Sequence, residues 1–382
     1  MRIICAPDSF KESLTARDAA DAMARGIRRT LPDADVDCCP VADGGEGTVD
    51  ALVAATDGTL RRTRVTGPLG EPVEATWGLL GETPGEPRTA VIEMAAASGL
   101  PLVPEDKRDP TRTTTFGTGQ LIRAALDAHA QRIILGIGGS ATTDGGCGAA
   151  QALDVRFLDA NQQPITAPLT GSTLTDIAQI DLTTRDPRLE QTELLVACDV
   201  TNPLLGENGA AHVYGPQKGA TPEQVETLDN ALQHLATLIE RTVGYDVDRM
   251  AGAGAAGGLG GGAVALLGGR LERGIELVLR AVHFEQRVAH CNLCLTGEGK
   301  LDGQSLSGKA TLGVARVADR FGVPTIALVG AIGPEAEKTR EAGLHRYFAI
   351  GEGLEPAESM RRAAELLEDA AARVAERFAV RG

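Results

Sequence analysis

The residues best suited to chemistry lie in loops that follow short apolar runs, and the richest loop follows residues 133–135. Residues 136–148, GIGGSATTDGGCG, combine glycines with hydroxyl groups and one carboxylate. Glycine permits close backbone approach to a ligand, and the N-terminus of a following helix attracts anions. This pattern predicts a phosphate-binding loop, although a tight turn between strand and helix would need similar glycines. The residues predicted to contact nucleotide phosphate here are Gly138, Gly139, Ser140, Thr142 and Thr143.

Carboxylates and lysines also follow other predicted strands. The groups are Asp8, Ser9 and Lys11 near the N-terminus, Asp43 and Glu46, Asp199 and Asn202, and Glu298, Lys300, Asp302 and Lys309. Open α/β sheets bind ligands at the carboxyl ends of their strands. We therefore expect five acidic residues to approach one another across a cleft between two domains: Asp43, Glu46, Asp199, Glu298 and Asp302. Carboxylates so close require cations among them, and Mg²⁺ binds through a few carboxylates together with phosphate oxygens. Such a set is typical of phosphoryl transfer.

Two glycine motifs of nucleotide-binding proteins are present only in part. Residues 252–257 fit GxGxxG, but they lack a convincing preceding strand and a ribose-binding acid, so we reject a dinucleotide site. Close backbone packing and the lining of a ligand pocket both remain explanations for these glycines. Residues 303–309 fit GxxxxGK, but Ala310 stands where a P-loop requires Ser or Thr. We interpret this segment as another kind of anion loop, with Gly308 at the nucleotide phosphate.

The elements that position these loops alternate between strand and helix at both ends of the chain. Apolar runs predict strands at 2–6, 35–39, 90–94, 194–198, 293–296 and 325–330. Apolar stripes predict one helix after Thr15 and a terminal helix from Pro356. Between residues 61 and 81, short alternating stretches replace this pattern. The prediction is an α/β fold with a discontinuous domain, residues 1–75 with 287–382, into which a second α/β domain, residues 76–286, is inserted.

Composition excludes several classes of protein. A net charge of −15 and an aromatic content of 3% do not suit a nucleic-acid-binding protein. The chain shows neither an apolar run of membrane-spanning length nor a signal peptide, so we expect a cytoplasmic location. The odd number of cysteines, seven, suits a reducing compartment. Cys291 and Cys294 have CxxC spacing, but on a strand their side chains would point to opposite faces, so we expect no metal or redox role.

Five ordered motifs resemble the bacterial glycerate kinases that phosphorylate D-glycerate. They are APDSFKESL at 6–14, DGGEGT at 43–48, GIGGSATTDGG at 136–146, CDVTNPL at 198–204 and LTGEGKLDGQSLSGK at 295–309. The resemblance spans the chain and implies a Rossmann- or flavodoxin-like domain, ATP and Mg²⁺. It also implies 2-phosphoglycerate as the product, within organic-acid metabolism. Two alternatives stay open: a glycerate 3-kinase, and a non-catalytic sensor of a small acid or nucleotide.

Individual roles follow from what this transfer requires. The substrate carboxylate needs a cation, so Lys11 is predicted to bind it, with Ser9 beside it. Asp8 and Asn202 are also predicted to bind the substrate. Asp199 is the predicted general base, because it directly follows an apolar strand and residues 201–203 can orient it. Lys11 and Lys309 are also expected to act in catalysis, Lys309 by neutralising charge on the transferring group. The predicted metal ligands are Asp43, Glu46, Glu298 and Asp302. We expect D-glycerate and ATP as partners, neither nucleic acid nor membrane, and a monomer or homodimer.

Overall fold

The computed structural model describes residues 1–303, 305 and 310–379. Its strands are β1 (Arg2–Cys5), β2 (Asp35–Cys38), β3 (Thr59–Thr66), β4 (Pro72–Leu79), β5 (Thr89–Glu93), β6 (Arg132–Gly136), β7 (Arg156–Leu158), β8 (Gln179–Asp181), β9 (Glu193–Ala197), β10 (Arg270–Glu272), β11 (Leu293–Thr296), β12 (Lys300–Leu301), β13 (Thr325–Val329), β14 (Ala331–Ile332) and β15 (Arg346–Ala349). Its α-helices are α1 (Ala16–Thr30), α2 (Thr48–Ala55), α3 (Ala95–Ser98), α4 (Phe116–Asp127), α5 (Cys147–Gln151), α6 (Ala210–Tyr214), α7 (Pro222–Val243), α8 (Leu259–Leu267), α9 (Gly274–Ala281), α10 (Phe284–Val288), α11 (Ala310–Arg320), α12 (Pro356–Arg361) and α13 (Ala363–Ala379). Across these ranges, a helix long and apolar enough to span a membrane is absent.

The chain forms two compact α/β units, which confirms the predicted fold class. The first unit comprises Met1–Asp43, Asp50–Gly58 and the chain from Ile275 onward, and the second comprises Gly44–Val49 and Thr59–Gly274. These bounds differ from the predicted ranges at both junctions. Residues 59–75 belong to the second unit because β3 pairs with β4 along its whole length. Residues 275–286 belong to the first unit, where Ile275 packs against Gly313 of α11.

The sheet of the first unit is entirely parallel, with the strand order β15-β13-β11-β1-β2. Counted along this unit, the order is 2-1-3-4-5, which is the flavodoxin-like arrangement. The central strands are almost fully buried, as parallel strands covered by helices on both faces must be. Helices α1 and α13 pack together where Gly26 lies; a methyl group there would be 2.0 Å from the Glu368 carbonyl oxygen. The predicted terminal helix is two helices, α12 and α13, separated at Arg362.

The sheet of the second unit has the order β10-β9-β6-β5-β4-β3. Strands β10, β9, β6 and β5 are parallel, whereas β4 and β3 add an antiparallel hairpin. The hairpin explains the alternating stretches near residue 61, because one of its faces is exposed. The Trp77 indole nitrogen donates to the Thr63 hydroxyl across the hairpin, at 2.9 Å. The parallel strands end together and place the loops after β5, β6 and β9 at one edge.

Candidate active site

A cavity of about 700 Å³ lies in the first unit, at the carboxyl ends of its strands. The adjacent strands β1 and β11 continue in opposite directions across the sheet, so the cavity lies at the topological switch point where such sheets bind ligands. Its polar lining includes Asp8, Ser9, Lys11, Asp43, Glu298 and Lys300. Its apolar lining includes Phe10, Ile350, Leu354, Met360 and Ala363. The structure therefore brings together residues from three predicted loops.

Asp8 interacts with other charged residues of this cavity. Burial, together with the negative charges of Asp43 and Glu298, raises the pKa of its carboxyl group to about 7. The Ser9 backbone N–H, 2.6 Å from Asp8 Oδ1, and the Lys11 ammonium group act in the opposite direction. Three carboxylates from three loops thus interact around one position, which is an environment that favours a cation.

The other two predicted metal ligands are Asp302 and Glu46. Lys300 Nζ lies 3.2 Å from Asp302 Oδ2, so Asp302 is paired with a cation of the protein itself. Glu46 is exposed in the second unit. Within residues 1–303, 305 and 310–379, no three His, Cys, Asp or Glu side chains converge closely enough to hold a metal by themselves. Gly308 and Lys309 lie outside the described residues.

The glycine-hydroxyl loop follows β6 in the second unit, and two glycine-rich segments meet there. Gly138 and Gly139 are exposed, and Gly139 has a φ of +72°, a conformation that favours glycine. A methyl group at Gly136 would lie 2.5 Å from the Gly44 carbonyl oxygen, and one at Gly138 would lie 3.3 Å from Gly45 Cα. The loop that carries Glu46 therefore packs directly on residues 136–138. Both segments, residues 44–45 and 136–138, need glycine for this close approach.

The helix after this loop does not offer free N–H groups, contrary to the sequence prediction. Helix α5 is only five residues long, and the fully buried Asp144 caps it. Asp144 accepts from Gly146 N at 3.1 Å, from Gly148 N at 3.3 Å and from the backbone N and hydroxyl group of Thr115, both at 2.7 Å. Burial raises the pKa of Asp144, whereas these hydrogen bonds lower it. An anion that belongs to the protein thus occupies the predicted helix site.

The threonines of the loop are oriented inward. Thr142 and Thr143 are fully buried, and their hydroxyl oxygens have no hydrogen-bond partner in the described part of the chain. Ser140 is 9% exposed. The carbonyl groups of the loop are held by donors that the sequence prediction missed: Leu100 N on Gly139, Thr113 Oγ1 on Ala141 and Lys218 Nζ on Thr142. The exposed binding surface of this loop is therefore the backbone at Gly138 and Gly139.

Asp199 and Asn202 follow β9 in the same unit. Asp199 is exposed, and its Oδ1 accepts from Gly274 N at 3.0 Å, so the start of α9 orients it as well. Asn202 Oδ1 accepts from the Tyr214 hydroxyl group at 2.7 Å, and Asn202 Nδ2 donates to the Asn208 carbonyl at 2.9 Å. These bonds give Asn202 a role in shaping the loop that follows Asp199.

The predicted site residues are thus divided between the two units. The first unit holds Asp8, Ser9, Lys11, Asp43, Glu298 and Asp302, and the second holds Glu46, the 138–143 loop, Asp199 and Asn202. Asp43 and Glu298 line the same cavity as Asp8 within the first unit. Their approach to Glu46 and Asp199 stays a prediction. The chain passes from the first unit to the second between Asp43 and Gly44.

A flavodoxin-like unit with carboxylates at its strand ends, joined to an α/β unit with a glycine-hydroxyl loop, is typical of a phosphotransferase. The chain belongs to the glycerate kinase family, whose model matches residues 3–379. It is 50% identical to the glycerate kinase of Bacillus subtilis over 98% of this chain and 97% of that one. It is 48% identical to the glycerate 2-kinase of Escherichia coli, over 92% and 90% respectively. A solved structure from Salmonella typhimurium LT2, described as a glycerate kinase 2, superposes with a TM-score of 0.89 at 47% identity, covering 100% of this chain and 98% of that one. The protein is therefore an enzyme of a kinase family, for which ATP is the implied co-substrate.

Proposed function

We propose that the protein transfers the γ-phosphoryl group of ATP to the 2-hydroxyl group of D-glycerate, giving 2-phospho-D-glycerate and ADP. The observation that supports this proposal most is that Lys11, in the loop after β1, lines the same cavity as Asp8, Asp43 and Glu298. The 48% identity to a glycerate 2-kinase supports the choice of hydroxyl group. A cytoplasmic location and a monomeric or homodimeric state stay predictions.

The first unit binds the acceptor in this proposal. Lys11 is exposed at the cavity wall, where its ammonium group forms a charge-assisted hydrogen bond with the glycerate carboxylate. Ser9 is beside it and donates its hydroxyl group to the same substrate. Asp8 accepts from a glycerate hydroxyl group when it is ionised. Asn202 contributes through the loop that it shapes after Asp199.

Mg²⁺ fits the carboxylates of the first unit. Burial and the negative charges of Asp43 and Glu298 raise the pKa of Asp8, and a cation near these two residues would offset the repulsion among the three carboxylates. These two residues would hold the ion together with phosphate oxygens, and Glu46 and Asp302 complete the proposed set. When bound, Mg²⁺ supplies neutralisation of the negative charge on the phosphates.

The second unit binds the nucleotide phosphates. The backbone at Gly138 and Gly139 is exposed and can approach a phosphate closely. The predicted donors Thr142 and Thr143 are fully buried, so this proposal assigns the phosphate contact to that backbone, with Ser140, which is 9% exposed, as the side-chain donor. Gly308 and Lys309 are proposed to contact the phosphates and to neutralise the transferring group.

Asp199 accepts the proton of the reacting hydroxyl group. As the hydroxyl oxygen forms its bond to the γ-phosphorus, the bond from that phosphorus to the bridging oxygen breaks, ADP departs, and the proton goes to the Asp199 carboxylate. Asp199 follows Cys198, the first residue after the buried strand β9, and the Gly274 N–H donates to its Oδ1, so its carboxylate is held in a fixed position.

The test is ADP release coupled to product identification. The purified protein is incubated with ATP, MgCl₂ and D-glycerate, and the product is converted by enolase alone or by enolase with phosphoglycerate mutase. We expect phosphoenolpyruvate to form with enolase alone, because enolase accepts only the 2-phosphate. A signal that requires the mutase would make the protein a 3-kinase. Glycerate binding by calorimetry without ADP release would favour the sensor alternative.

A further inference from the structure

Lys218 is buried although lysine side chains rarely are. It is 2% exposed and lies in the short 3₁₀ helix Pro216–Lys218, between α6 and α7. Its ammonium nitrogen donates to the Thr142 carbonyl oxygen at 2.6 Å. A buried amino group without a specific task costs stability, so its presence under the glycine-hydroxyl loop requires an explanation.

The Thr142 carbonyl group is fixed from two sides. Lys218 donates to its oxygen, and the backbone of Gly257 packs against it so closely that a methyl group there would lie 1.9 Å from the same oxygen. Gly257 has a φ of +68° and also accepts from Gly145 N through its carbonyl group. The glycine-rich segment 252–262 thus serves close backbone packing, which is one of the two explanations predicted for it.

The charge on Lys218 is matched within the same loop. Burial lowers the pKa of the Lys218 ammonium group to about 7, and the Asp144 carboxylate, which is the charge that acts on it, raises that pKa. Asp144 is itself anchored by Thr115 and by the first turn of α5. The segment 142–144 is therefore held by Lys218 at one end and by Asp144 at the other.

We propose that Lys218 is a positioning residue, which holds the Thr142 carbonyl group and thereby fixes the exposed backbone at Gly138 and Gly139 for the phosphates of ATP. This rests on the proposed function, because the position of the loop affects turnover only if the loop binds phosphate. The ammonium group acts through the loop and does not contact the nucleotide. Misplacement of a binding backbone by about 1 Å is enough to reduce turnover strongly.

The test compares Lys218→Met with Lys218→Gln, which keeps a neutral donor, and with Lys107→Met, an exposed lysine of the same unit. At pH 6.5 we expect Lys218→Met to raise the KM for ATP by about 10-fold to 100-fold, with the KM for glycerate unchanged. Lys218→Gln should restore part of the loss. Lys107→Met should behave as the wild-type protein, and the melting temperature of Lys218→Met should not fall below that of the wild type.

A pH profile separates positioning from a structural role. In the wild-type protein the KM for ATP should rise as the pH passes through about 7, because Lys218 loses its proton and the hydrogen bond to Thr142 weakens. This rise should be absent from both Lys218 variants. The proposal would be overturned if Lys218→Met had the same KM for ATP as the wild-type protein. It would also be overturned if Lys218→Met failed to fold while Lys218→Gln was fully active and kept the pH dependence of the KM for ATP. If Gly139→Val also leaves the KM for ATP unchanged, the phosphate role of the loop fails; if only Lys218→Met does, Lys218 alone is misassigned.

Discussion

At the scale of residues, the structure separates side chains whose position suits contact with substrate from those that support a loop. Lys11 and Asp199 are exposed, although Asp199 also accepts from Gly274 N, whereas Asn202 and Asp144 are held by several hydrogen bonds within the protein. Sequence patterns could place all four in loops, because each follows an apolar run. They could not show which carboxylate caps a helix, since that depends on Thr115, which is distant in sequence.

Replacement of Lys11 tests the binding of the acceptor. Lys11→Met should raise the KM for glycerate by about 10-fold to 100-fold, because a hydrogen bond to a charged group contributes about 1.5–3 kcal/mol. The KM for ATP should stay the same. Steady-state kinetics with both substrates checks this, with Lys338→Met as an exposed-lysine control in the same unit. An unchanged KM for glycerate would show that another group binds the carboxylate.

Replacement of Asp199 tests the general base. Asp199→Asn keeps an oxygen that can accept from Gly274 N but removes the base, so kcat should fall by about 100-fold or more while ATP affinity persists. Asp246→Asn is the matched control, since Asp246 is also exposed and accepts a backbone N–H, from Asp248. Full kcat in Asp199→Asn would place the base elsewhere. Loss of ATP·Mg²⁺ binding instead would make Asp199 a metal ligand, with Asp43 as the next candidate base.

At the scale of elements, strands were the most predictable feature and their partners the least. The run that forms β1 is apolar after Arg2 and is soon followed by Pro7, so a short strand there follows from the sequence. Its pairing with β11, almost three hundred residues later, has no local signal. The same holds for β3, whose membership of the second sheet depends on the β4 hairpin. The burial of Lys218 could not be predicted either, because no periodicity marks a single buried lysine between two helices.

The glycine-hydroxyl loop can be tested as an element through its backbone. Gly139→Val should abolish measurable ATP binding, because a branched side chain at a φ of +72° strains the backbone by about 1–2 kcal/mol and covers the exposed surface. Gly70→Val is the control, with a φ of +93° and open space around it in the β3–β4 turn. Calorimetric titration with ATP compares the two. Equal affinity in Gly139→Val and Gly70→Val would remove the loop from the nucleotide site.

Thr143→Val isolates the hydroxyl group of the same loop. The Thr143 hydroxyl group is buried without a partner among the described residues, so an isosteric valine should preserve or increase stability. ATP affinity should stay close to that of the wild-type protein, because the Thr143 hydroxyl group is fully buried and the proposed phosphate contact is through the backbone. Calorimetric titration with ATP measures this, and a roughly 10-fold loss of affinity would add the Thr143 hydroxyl group to the phosphate contacts.

At the scale of the whole molecule, the division into two units follows from two separate hydrophobic cores. One core is built around the flavodoxin-like sheet and the other around the mixed sheet. The alternation of strands and helices at both chain ends was enough to predict an inserted second unit. The exact junctions could not be predicted, because helix α2 begins in one unit and continues in the other. Such a helix has no compositional boundary.

The free energy of unfolding should depend on pH through the buried Lys218. The pKa of Lys218 is about 7 in the folded protein, whereas an ordinary lysine side chain has a pKa of 10.5, so between these values the unfolded chain holds a proton that the folded chain lacks. The free energy of unfolding should therefore increase as the pH rises from 7 towards 10.5, by at most about 4–5 kcal/mol from this group. Lys218→Met removes this contribution, whereas Lys107→Met retains it. Urea unfolding at pH 7 and pH 9.5 measures the difference, and a parallel pH dependence in the wild type and Lys218→Met would show that Lys218 keeps its proton when folded.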